Sequence, residues 1–159
     1  MLLRTLRGRK GVTIVEFALV LPLFFMFIFG VIEFGFVFFV QHTLQFATRE
    51  GARLGLVGRT LTDASGNSLS REASIIQRIN EGAAVAVRPA DLMINIYPIG
   101  GDYTDPANWQ NTQDAGAPGR YMRVKTRYYY TFHVIGAFLP QARILLQAQA
   151  TYRNELYGT

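Results

Sequence analysis

Cysteine is absent from the 159 residues, which excludes a disulfide framework, haem attachment through Cys-x-x-Cys-His and thiolate zinc sites. Histidine is nearly absent: His42 and His133 stand far apart, each without a spaced second ligand. No Ser/His/Asp order, H-E-x-x-H or phosphate loop occurs. The chain is therefore expected to be no enzyme and to carry no metal or cofactor. Acidic residues are missing from residues 1–11, which hold Arg4, Arg7, Arg9 and Lys10, so this short leader carries most of the net charge of +5. The nearly neutral remainder gives no reason to expect nucleic-acid binding.

What is present in excess is apolar length. Phe17 to Val40 is a run of 24 residues interrupted by only one charge, Glu33, and one proline, Pro22. As a helix it spans roughly 36 Å, sufficient to cross a bilayer. A secretory signal has an apolar region of about 7–15 residues before a small-x-small cleavage site, and the run here exceeds that. The segment 17–40 is thus expected to remain as a single transmembrane span. The four preceding cations place the N-terminus in the cytoplasm and the rest of the chain outside. Glu33 sits in "GVIEFG" near the outer part of the span, where it either faces a partner helix or approaches the outer headgroups.

The order of basic leader, Gly11, four residues, then Glu16-Phe17 at the head of the apolar run resembles the class III signal of type IV pilins and pseudopilins. The longer string "GVTIVEFALVLPLF", with Pro22 close behind the glutamate, is similar to TadE-like pseudopilins of the tight-adherence (Flp, type IVc) pilus system; "ATREGARLG" (47–55) and the closing "TYRNE" (151–155) agree with it. The resemblance is sharpest over residues 8–55. It implies that a membrane-embedded prepilin peptidase cuts between Gly11 and Val12, removing a leader of residues 1–11. Glu16 then becomes the fifth residue of the mature chain, one helical turn from the new α-ammonium of Val12. A carboxylate there can pair with its own N-terminus or a neighbour's and so fix register in an assembled helix bundle, with Phe17 beside it. The implied partners are the peptidase, the other pseudopilin, the Flp pilin, the inner-membrane assembly platform and membrane lipid. The implied location is the bacterial inner membrane, with the C-terminal domain periplasmic and the subunit able to enter the pilus. The alternatives are an uncleaved signal-anchored envelope protein with a ligand-binding or scaffolding outer domain, and a type II secretion pseudopilin.

The expected fold class is α+β, with a pilin-like N-terminal helix over 12–57 and an extracytoplasmic domain over 58–159. Leu44, Ala47, Gly51 and Leu54 continue the first helix beyond the membrane, while Gly51, Ala52, Gly55 and Gly58 either admit close approach of another element or fray it. The polar "GRTLTDASGNS" (58–68) predicts a loop. Leu69, Ala73, Ile76, Ile79 and Ala83 then predict a second, amphipathic helix, capped by Ser68 or Ser70 and stopped by Arg88-Pro89. Alternation predicts three antiparallel strands over 92–97, 121–132 and 144–153. The Arg123-Lys125-Arg127 face reads as a solvated strand face that blunts edge pairing. "GGDYTDPANWQNTQDAGAPGR" (100–120) reads as an exposed loop in which Tyr103 and Trp109 either form a contact surface or pin it to the sheet. Its Asp102, Asp105 and Asp114 lack the spacing of a calcium loop. "VIGAFLPQ" (134–141) reads as a short apolar connection covering the core.

Overall fold

A computed structural model describes residues 6–134, 136 and 142–156, with side chains from residue 11 onward; most of the 134–141 connection lies outside the described residues. Helix α1 (Leu6–Leu56) runs unbroken through Gly11 and Pro22 for 51 residues, roughly 76 Å. It is followed by α2 (Arg71–Ala83) and by strands β1 (Met93–Ile99), β2 (Tyr121–Thr131) and β3 (Arg143–Arg153). The strands form one antiparallel sheet in the order β1-β2-β3, so the fold is α+β as expected.

The composition of α1 divides it into two halves. Between Val12 and Ile32 almost every side chain is exposed and nearly all are apolar, a segment long and apolar enough to cross a membrane. From Glu33 onward one stripe is buried at alternating steps of three and four: Glu33, Val37, Val40, Leu44, Ala47 and Gly51. That period is the helical one, so the stripe follows a single face along the outer half. The domain accordingly begins within the apolar run, because Glu33, Val37 and Val40 of the 17–40 segment are already covered by it.

Helix α1 forms the floor of the core, with α2 against one flank and β2 and β3 against the other. The sheet presents Met122, Val124, Tyr130, Leu146, Ala148 and Ala150 to it, the alternation read from the sequence. In β2 and β3 the register runs from Tyr121↔Arg153 to Thr131↔Arg143 without a bulge. A buried pair of threonines joins α1 to β2 across this core. Thr48 donates to the Leu44 carbonyl at 2.6 Å, which leaves the Thr126 hydroxyl to donate to Thr48 Oγ1 at 2.7 Å.

Helix α2 differs from its expected form in two respects. Ser70 caps it by accepting from Ala73 N, but it ends at Ala83, and Pro89 instead opens a 3-10 turn of its own. Its most buried side chains are Ile75 and Ile79, and Ile76 is only partly covered. The reason is the floor it meets. A Cβ on Gly51 would lie 2.3 Å from Ile79 Cγ1, and one on Gly55 would lie 2.4 Å from Ile75 Cδ1. The glycines are therefore a groove that receives the two isoleucines, which rotates α2 towards Ile75. Past the groove α1 stops: Gly58 adopts φ 67°, and the Leu56 carbonyl is taken by Glu155 N at 3.0 Å. The neighbouring Asn154 Nδ2 donates to the Ala115 carbonyl at 2.8 Å, so "TYRNE" ties the chain end to α1 and to the long loop.

Gly51→Ala should destabilise the protein by about 1–3 kcal/mol through overpacking, outweighing the roughly 1 kcal/mol that alanine adds to helix propensity. Gly35→Ala, with open space around it, should be neutral or slightly stabilising. Thermal unfolding of the two variants in one detergent distinguishes them; equal midpoints would mean the groove is not close-packed.

Candidate functional site

Three groups bear on function, and the first is the N-terminal face of α1. Gly11, Val12, Glu16 and Phe17 lie in continuous helix and are exposed, with nothing within 4 Å of the position a Gly11 Cβ would take. Among the described residues no ion pair engages Glu16. The structure thus presents the Gly11–Val12 bond on an accessible helix, with Glu16 one turn beyond it.

The second group surrounds Glu33. Its residue is only 2% exposed, although its neighbours on other faces of α1 are open. Within the chain, the end of β2 and the turn after it enclose it. The carboxylate accepts from the Tyr130 hydroxyl at 3.0 Å, from His133 N at 2.9 Å and from Val134 N. His133 Nδ1 lies 3.6 Å from the same carboxylate, with the imidazole 82% exposed. The end of β2 and the turn after it therefore dock on α1 through one carboxylate that accepts from at least three donors. Burial, and then the hydrogen bond to Glu33, push the Tyr130 hydroxyl up to about 12, so it remains a donor at any physiological pH. Phe132 stacks edge-on to Phe34, ring centroids 6.4 Å apart, on the flank of this junction. Sequence reasoning identified Glu33 as unexplained but had no signal for its donors, since two are backbone amides 100 and 101 residues away.

The third group lies on the opposite face of the sheet. Arg123 and Lys125 are not solvated as expected, because the 100–114 segment folds back over them. Asp105 accepts from Arg123 Nη1, from Lys125 Nζ at 2.8 Å and from Tyr97 Oη at 2.9 Å. Lys125 Nζ and Arg127 Cζ lie 4.2 and 4.7 Å from the Trp109 ring centroid. Trp109 thus pins the loop. Asn95 Nδ2 to the Gln110 carbonyl and Gln113 Nε2 to the Ile94 carbonyl, at 2.7 and 2.6 Å, close the outer edge of β1. Tyr103 stays half exposed beside Tyr121, 5.3 Å between centroids. Burial by itself raises the Asp105 carboxyl, but hydrogen bonds from Lys125, Arg123 and Tyr97 outweigh it and hold the group down at about 2. Of the other candidate oxygen ligands, Asp102 is bound to Thr104 and Asp114 to Gly116 N. Among the described residues no cluster of three metal-ligating side chains forms.

Two outcomes follow from these contacts. Glu33→Ala, which strands three donors, should cost about 2–4 kcal/mol, whereas Tyr130→Phe, which removes one, should cost about 1 kcal/mol. Amide exchange at His133 and Val134 should accelerate strongly in the first and little in the second; unchanged exchange in Glu33→Ala would refute the docking role. For Asp105, a folded-state value depressed below the ordinary carboxylate range gives stabilisation that is complete above about pH 4 and lost as pH falls towards 2. Fluorescence of Trp109, the single tryptophan, should shift to the red across that window, and Asp105→Ala should show the shifted spectrum already at neutral pH. A spectrum constant from pH 6 to pH 2 would contradict the pinning.

Comparison with known proteins adds one finding to this geometry. No curated protein and no solved structure matches the chain. Residues 11–53 match the family model described as TadE-like protein, a stretch that opens at the exposed glycine and runs past Glu33 to the glycine groove. The first two groups lie on this helix, whose residues 11–53 are similar to the TadE-like family.

Proposed function

We propose that this chain is a minor pseudopilin of a Tad/Flp pilus, made as a precursor, cut by a prepilin peptidase between Gly11 and Val12 and used as an assembly subunit, not as an enzyme. The observation that carries this reading is the coincidence of the TadE-like match, which opens at Gly11, with an exposed glycine-to-glutamate spacing at the N-terminal end of an apolar helix. A glycine within a helix costs about 1 kcal/mol relative to alanine, which eases unwinding of the turn at the expected cut for a peptidase. The leader, with Arg7, Arg9 and Lys10, holds the N-terminus in the cytoplasm until the cut. Residues 12–32 then span the inner membrane, about 32 Å of helix, and the domain from Glu33 onward stands on its outer side.

Cutting converts the electrostatics of this end. Before it, Glu16 is a helix-start carboxylate near several cations; after it, the nearest formal positive charge on the chain is the Val12 ammonium, four residues away. In an assembled bundle both charges are partly desolvated, and their pairing within or between subunits sets the axial register. The partners on this reading are the peptidase, the other pseudopilin, the Flp pilin and the assembly platform.

The proposal separates processing from assembly. Gly11→Leu should leave the precursor uncut, whereas Glu16→Leu should be cut normally and enter the pilus fraction poorly. Immunoblots of membrane and sheared-pilus fractions read both. Normal cutting of Gly11→Leu would overturn the processing site, and normal incorporation of Glu16→Leu would overturn the charge-pairing role.

A further inference from the structure

The apolar surface of α1 does not stop where the domain begins. On the faces that the domain leaves open, Phe34, Phe36, Phe38 and Phe39 are exposed, Phe36 at 58%, beyond the buried Glu33. From Phe17 to Phe39 the helix therefore offers about 34 Å of apolar surface, a few ångström more than a hydrocarbon core of about 30 Å, so its outer end reaches the headgroup level.

The end of the domain at the same level has the same character. A groove opens between α1 and the end of β2, lined by Ile32, Phe36, Phe39, Val85, Tyr128 and His133. Val85, in the turn after α2, is 74% exposed on its rim although nothing in a water-facing turn calls for an apolar residue there. Glu33 reaches this groove too, but its oxygens are occupied by donors from the chain itself. On the other face of the same sheet end, Arg143 stacks on Tyr129 at 5.0 Å, and Leu145 is exposed beside them. Exposed aromatics with cationic and imidazole groups at the rim, and a carboxylate kept out of contact, are what the boundary between acyl chains and phosphates favours.

We propose that this end of the domain is itself a membrane-contact surface: the groove between α1 and β2 takes acyl chains of the outer leaflet, with Val85 below the phosphates and His133 and Arg143 at their level. The surface is continuous with the spanning half of α1, and the proposal rests on the reading of that half as a membrane anchor. The occupant is phospholipid, and the domain is thereby held against the bilayer by two contacts instead of by the spanning helix alone. Enclosure of Glu33 is then a requirement as well as a docking device, since an open carboxylate at this depth would be expensive.

The cysteine-free sequence permits a direct test with single spin labels in the full chain, reconstituted into phosphatidylethanolamine/phosphatidylglycerol bilayers. Val85→Cys reports the groove, Val20→Cys the span and Ala64→Cys the distal loop. Power saturation with oxygen and with a water-soluble nickel chelate gives the depth of each label. The proposal expects the label at position 85 to be several-fold less accessible to nickel than that at 64, at a depth just below the phosphates, and unchanged on tenfold dilution with lipid. A position 85 as nickel-accessible as 64, with position 20 deep in the bilayer, overturns the groove while leaving the anchor intact. Nickel access at position 20 overturns the anchor and the groove together. Protection at 85 that vanishes on lipid dilution means that a second copy covers the groove, and also overturns the proposal.

Discussion

One helix has to satisfy two solvents, and everything else in the molecule is arranged around the point where it changes from one to the other. From Phe17 to Ile32, α1 is apolar on all faces and almost entirely exposed. Above it, the same helix becomes the floor of a globular core. The transition is made by a carboxylate that would be unfavourable in either setting alone, and which the chain neutralises with a hydroxyl and two backbone amides from the far end of β2. These contacts fix the height at which the sheet sits on the helix. The stripe from Val37 to Gly55 then has only to continue a register already set.

The two halves of the domain answer different physical demands. On the α2 side, the closeness of approach is set by what α1 lacks, since Gly51 and Gly55 leave room for Ile79 and Ile75. On the sheet side, a basic strand face is made compatible with folding by Asp105 and Trp109, which cover Arg123 and Lys125 and close the β1 edge. A sheet of three strands carries two exposed edges, and the 100–114 segment removes one of them. On the proposed reading as an assembly subunit, closing this edge removes one route of unspecific strand pairing.

The legible parts of this molecule in its sequence are those governed by local pattern. Alternation placed β2 and β3 with the correct faces inward, the run from Phe17 gave the long helix, and Ser70 gave a cap. Patterns that depend on the identity of a distant partner were not legible. Ile75 and Ile76 are equivalent by composition, and only the glycine groove decides between them. Arg123 and Lys125 read as solvated because Asp105 and Trp109, which cover them, lie in a stretch whose Gly, Pro, Asp and Asn content signals an exposed loop. Glu33 was read as facing a partner helix or the outer headgroups, because its donors are largely backbone amides, which leave no trace in the side-chain sequence. The Gly11-to-Glu16 spacing was legible for the opposite reason: its meaning lies in the count along the chain and requires no fold.

That count links the architecture to its proposed use. A helix that carries a rigidly docked domain on its outer half and an open apolar surface on its inner half is suited to leave the bilayer and pack against like helices, with charge at its inner end to set the register. The intact mass of the protein purified from cells that contain the peptidase tests this most directly. The account predicts a chain that begins at Val12 and has lost Arg7, Arg9 and Lys10; a mass that retains the basic leader would contradict it.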